Sequence, residues 1–181
     1  MERLKKLLVS VKPNLTKEEL DELFPEIAMA LIGVYGIRKG NELYYFREIE
    51  FYYYDPLYDD MRSGEKRRIT YERTCRPGLW FFLSSGVDLT FESDKDLGYG
   101  GGILIREIEK AGTVDIVSGP KRCEWELFDE TADAFTGQAT IPRIVEAERL
   151  DVIAKAFVRR NLEAKDPWQS LWRFVASDWR E

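Results

Sequence analysis

The chain has 181 residues, of which 44% are hydrophobic and 13% aromatic, and it carries a formal net charge of −6 with a sequence pI near 5.0. That length suits one domain around a single core, and the acidic balance works against a polyanionic partner unless the basic residues gather on one face. No histidine occurs, which excludes the commonest general base, the commonest zinc ligand and any Ser-His or Cys-His pair. Carboxylates, tyrosines, lysines and arginines are left to carry any chemistry. Cys75 and Cys123 form no CxxC pair and read as buried free thiols. The first nine residues are too short and too charged for a secretory core, and no apolar run approaches membrane-spanning length, so a cytoplasmic protein is expected.

Thr16 with Glu19 three positions on predicts a capping box and a short helix through Leu20, Leu23 and Phe24, ending at Pro25. Ile27, Ala28, Leu31 and Ile32 predict a second helix closing at Gly33. Residues 34–38 and 43–46 read as strands of a hairpin joined by Lys39, Gly40 and Asn41. The hairpin delivers the chain to the stretch that organises the reading, Arg47-Glu48-Ile49-Glu50-Phe51, followed by Tyr52, Tyr53, Tyr54 and Asp55-Pro56. Period-two alternation puts Glu48 and Glu50 on one face of a strand. Two carboxylates beside an aromatic turn make the best candidate site; the plain alternative is a solvated face with an aromatic rim.

Residues 59–68 change from acidic to basic, and Arg62, Lys66, Arg67 and Arg68 read as a phosphate-meeting patch or as an ordinary solvated charge run. Pro77-Gly78 turns the chain into the apolar run Leu79 to Leu83, expected to be a strand buried on both faces, and residues 87–92 alternate as another. Gly98-Tyr99-Gly100-Gly101-Gly102 precedes the strand at Ile103 rather than a helix, so it predicts a tight turn with close backbone approach and not a phosphate cradle. Arg106 stands at that strand's end. Ser118-Gly119-Pro120 can open a helix, with Lys121 and Arg122 beside its bare amides as an anion site of low specificity. Residues 141–145 and 156–161 read as late strands or as a strand and a helix end. Trp168, Leu171, Trp172 and Val175 lie at helical spacing and predict a C-terminal helix docked on the core. The expected fold is one α+β domain over residues 1–181, with a curved, mainly antiparallel sheet flanked by helices.

Taken in order, these pieces resemble the alkyladenine (3-methyladenine) DNA glycosylase family. The resemblance lies in Leu31-Ile32-Gly33 leading to Glu48-Ile49-Glu50-Phe51-Tyr52, in Pro77-Gly78 with the aromatic strand to Gly86, in Leu104-Ile105-Arg106, in Ser118-Gly119-Pro120 and in Pro142-Arg143-Ile144. It implies that Glu50 is the general base aiming water at the sugar carbon of a flipped-out purine, as in base excision repair. It also implies that Tyr52 and Phe82 sandwich the base and that Arg106 lies beside the site. The family's pocket histidine falls near Met61, which cannot donate a hydrogen bond, and its wedge tyrosine is replaced by Ser85. The resemblance therefore implies a diverged DNA N-glycosylase. Its alternatives are a non-catalytic relative binding a nucleobase or another small ligand, and a hydrolase of free nucleosides. DNA, a nucleobase or a nucleoside is the implied partner, with no membrane, and no metal or organic cofactor is called for because water suffices.

Overall fold

A computed structural model describes residues 1–55, 76–128, 140–160 and 170–178. Three helices are present among them: α1 (Glu2–Val9), α2 (Lys17–Gly33) and α3 (Pro120–Phe128). The strands are β1 (Tyr35–Lys39), β2 (Glu42–Tyr54), β3 (Trp80–Leu83), β4 (Gly86–Thr90), β5 (Gly100–Lys110), β6 (Ile116–Ser118), β7 (Arg143–Glu146), β8 (Val152–Phe157) and β9 (Arg173–Asp178). Every strand pairing among the described residues is antiparallel, in one curled half-barrel sheet of order β3-β4-β5-β2-β1-β7, with β6 on β5 and the β8-β9 pair on β2. The α+β expectation holds.

Thr16 caps α2 through the Glu19 amide while Glu19 reaches back to the Thr16 N–H, the reciprocal pair the sequence announces. Pro25 does not end this helix: α2 runs straight through it for 17 residues. Phe24, Ile27, Ala28 and Leu31 are fully buried around the proline, and their burial outweighs one missing backbone hydrogen bond. The ring of Phe24 stacks on Phe51 at 4.4 Å and meets Trp172 edge-on at 5.0 Å, tying helix, central strand and chain end together.

The C-terminal expectation is overturned. Residues 173–178 form β9, which pairs with β2 and with β8 rather than coiling into a helix. Phe174 and Ala176 are buried while Arg173, Val175 and Ser177 are less so, a period of two that Trp172 and Leu171 obscure. The Leu79–Leu83 run is also not buried on both faces; β3 is an edge strand on which Phe82 is 53% exposed. The glycine expectation fares better: Gly101 lies so close to β2 that an added Cβ would sit 1.9 Å from the Tyr52 carbonyl oxygen.

Two irregularities in the longest ladder decide which charged side chains share a face. Phe46 pairs with Ile108, Glu48 with Glu107, and Ile49 with Ile105, so β2 carries one extra residue at Arg47 and β5 answers with one at Arg106. Both strands change neighbours there. On β2, β1 pairs with residues 42–45 and β9 with 48–50; on β5, β4 pairs with 102–104 and β6 with 107–109. Because paired residues share a face, Arg173, Glu50, Leu104, Asp88 and Phe81 form one row on one side of the sheet. Ile49, Phe51 and Tyr53 point the other way, into the cluster that α1, α2 and α3 complete.

Candidate active site

The site grows from the alternation of β2. With Ile49 and Phe51 held in the core, Glu48, Glu50 and Tyr52 must emerge on the opposite face. Arg106, next to core-facing Ile105, turns its guanidinium to the same face and against both carboxylates: Nε donates to Glu48 Oε1 at 2.9 Å, and Nη1 lies 3.4 Å from Glu50 Oε2. Neither acid is solvated, for Glu48 is 4% and Glu50 0% exposed. The solvated-face alternative is therefore set aside for these two residues.

Residues after β8 close over the pair. The backbone N–H of Arg160 donates to Glu50 Oε2 at 3.2 Å, and its guanidinium donates to Glu48 Oε2 at 2.9 Å while remaining half exposed at the rim. Arg173 adds a contact to Glu48 Oε2 at 3.5 Å, donates from Nε to the Val158 carbonyl, and lies over the Phe157 ring. Arg159, fully buried, lies 5.7 Å from the centre of the Tyr52 ring and 5.1 Å from that of Trp172. The Tyr52 hydroxyl donates to Glu50 Oε1 at 2.5 Å.

Burial pushes the Glu50 carboxyl above its ordinary pKa, and the Arg106 charge, the Tyr52 hydroxyl, the Arg160 amide and Arg159 pull against that shift. Burial, then the neighbouring Glu50 charge, drives Tyr52 well above the usual phenol value, so it stays protonated and donates. A carboxylate has about four acceptor positions; three on Glu50 are taken by Tyr52, Arg106 and Arg160. Such a group sits in a dry site and is more basic than a solvated acid.

Of the residues the sequence singles out, Glu50, Tyr52 and Arg106 come together. Phe82 does not join them. It neighbours Phe81, which belongs to the Glu50 row, so its own side chain leaves the opposite face of β3 and meets Phe128 of α3 at 4.9 Å. Ser85 lies in the β3–β4 turn beside Gly86, whose backbone abuts Pro120. Pro120 does open a helix, and Lys121 there is paired with Glu124. Met61 falls outside the described residues, as do Arg62, Lys66, Arg67, Arg68 and Cys75. Cys123 is buried, with its thiol pushed up to about 12 by desolvation, and so is inert.

Glu48, Arg159, Arg160 and Arg173 complete the site, and the resemblance gives none of them a role. Glu48 is visible in the sequence as the partner of Glu50 in the alternation; the three arginines arrive through long-range pairing of β8 and β9, which leaves no local mark. Among the described residues no cluster of three acidic or cysteine side chains could hold a metal ion, and the two glutamates are engaged by guanidiniums. No helix among the described residues is long and apolar enough to cross a membrane. No family model, curated protein or solved structure matches the chain.

Proposed function

We propose that the protein hydrolyses the N-glycosidic bond of a damaged or flipped purine, as a diverged DNA N-glycosylase, with Glu50 activating the water. The observation that supports this most is the setting of Glu50: a fully buried carboxylate of raised basicity, held by Tyr52 and Arg106 at the three positions that the motif order singles out. In the step, Glu50 takes a proton from water and the water oxygen bonds to the sugar carbon. The carbon–nitrogen bond breaks, and the base leaves with its electron pair and acquires a proton from solvent. The negative charge of Glu50 also stabilises the cationic sugar as the bond stretches. Arg106 favours the charged form of Glu50 against the effect of burial, and the Tyr52 hydroxyl bond orients the carboxyl group.

A second reading, a nucleobase- or nucleoside-binding protein that does not engage duplex DNA, is favoured by two placements. Phe82 lies across the sheet from Tyr52, and Lys121 stands on a helix packed against the other face and is already paired. Single-turnover incubation with duplex and single-stranded oligonucleotides carrying hypoxanthine, and with free inosine, separates the two. Release of hypoxanthine from an oligonucleotide, lost in Glu50→Gln, supports the first reading; release from inosine alone supports a nucleoside hydrolase; no release from any of them refutes catalysis at Glu50.

A further inference from the structure

Of the two acids, Glu48 makes the denser set of contacts with cations. Its Oε1 accepts from Arg106 Nε at 2.9 Å, and its Oε2 takes Arg160 Nη2 at 2.9 Å and Arg173 Nη1 at 3.5 Å. Glu50 has a single side-chain cation contact among the described residues, the longer 3.4 Å approach of Arg106 Nη1. The guanidinium of Arg106 is thus shared unequally, with its nearer bond on Glu48. Arg106 follows Ile105, which pairs with core-facing Ile49, so its side chain emerges on the face where both acids stand.

We propose that Glu48 is a positioning residue that holds Arg106, together with Arg160 and Arg173, back from Glu50 and thereby preserves the basicity of Glu50. The proposal rests on the reading of Glu50 as the base, but the arrangement it describes is measurable without any substrate. A bidentate Arg106–Glu50 pair would satisfy Glu50 fully and make it a poor proton acceptor. With Glu48 as the stronger anchor, Arg106 stays near enough to favour the Glu50 carboxylate and too far to close a bidentate pair on it. Among the described residues, the charged and titratable groups that face Glu50 are Glu48 and Tyr52 on β2, Arg106 on β5, Arg159 and Arg160 after β8, and Arg173 on β9, with Asp88 further along the same row on β4.

The test is a ¹³C-carboxyl NMR titration of Glu50, assigned by its disappearance in Glu50→Gln, in wild type, Glu48→Asp, Glu48→Gln and Arg160→Ala. Glu48→Asp is the decisive variant because it keeps the charge but shortens the reach by one methylene. In Glu48→Asp, repulsion between like charges alone leaves the Glu50 midpoint in place whereas positioning predicts a downward shift, as Arg106 closes on Glu50; in Glu48→Gln both predict a downward shift, which sets the scale of the charge effect. Arg160→Ala, at the half-exposed rim, is expected to shift the midpoint upward, because Glu48 then draws Arg106 in and a nearby cation is lost. A Glu48→Asp midpoint equal to wild type overturns the proposal. If that variant does not fold, an unmoved midpoint in Arg160→Ala does so. Single-turnover base release is run in parallel, with loss of rate and a matching downward move of its acid limb expected in Glu48→Asp. A wild type that releases no base sinks the catalytic reading while the titration still decides the positioning.

Discussion

Side chains 49, 51 and 53 of the central strand and side chains 48, 50 and 52 of the same strand meet two different environments. The first set is packed among Phe24, Phe91, Trp172 and Phe174, with ring centroids 4.4 to 6.3 Å apart. In the second set the two carboxylates are buried as well, but they stand with a partly buried phenol and the arginines that neutralise them. Burial of apolar surface stabilises the fold by about 25 cal/mol per Å², whereas burying ion pairs is close to neutral and often unfavourable compared with apolar packing. One face of the strand therefore supplies stability and the other retains groups that stability alone would not select. That difference predicts which substitutions harm the fold and which harm the proposed chemistry.

The largest effect on stability is expected on the apolar side. Phe51→Ala removes the ring stacked on Phe24 and edge-on to Phe174, and urea denaturation should show a loss of about 3–5 kcal/mol. On the charged side, Tyr52→Phe deletes a hydroxyl bonded to Glu50. It should cost about 1.5–3 kcal/mol, the range for hydrogen bonds to charged groups, and should raise the pH at which Glu50 ionises, because that bond favours the carboxylate. A loss as large as that of Phe51→Ala would break the contrast between the two faces.

The pH dependence sharpens it. Glu50 has a folded-state pKa above its unfolded value, so between those two values the native state holds more protons than the unfolded one, and stability falls as pH rises through that window. This contribution runs opposite to the usual acid denaturation. Comparing denaturation free energies of wild type and Glu50→Gln across the window should show the variant gaining on wild type as pH increases; a flat difference would mean that Glu50 is not desolvated. The smallest effect belongs to Phe82→Ala. Its ring is 53% exposed and rests only against Phe128 among the ring contacts described, so a loss below about 1 kcal/mol is expected, with no change in Glu50 titration.

Much of this arrangement was written locally in the chain. The Thr16–Glu19 box, the hairpin around Gly40 and the Glu48/Glu50 alternation depend on neighbours within a few residues, and each appears where local rules put it. The errors have a common source in tertiary context. Pro25 sits inside α2 because buried neighbours hold the helix on both sides of it, and residues 173–178 are a strand because β2 and β8 offer them two open edges. Nothing within the segment itself records those edges. The site was legible to the same extent: Glu50, Tyr52 and Arg106 follow from pattern and resemblance, but the Arg160 amide and the Arg173 guanidinium reach the glutamates across 110 and more residues of sequence. Phe82 is offered by the resemblance alone, and its side chain leaves the face opposite the Glu50 row because neighbouring residues of a strand point to opposite faces.

The most direct test of a strand with one face for folding and one for chemistry is to measure Glu50→Gln twice, by urea denaturation at neutral pH and by single-turnover release of hypoxanthine from the same preparations. The account predicts stability within about 1–2 kcal/mol of wild type together with a loss of roughly 10²–10⁴ in rate. A variant that unfolds like Phe51→Ala, or one that releases the base as fast as wild type, would contradict it.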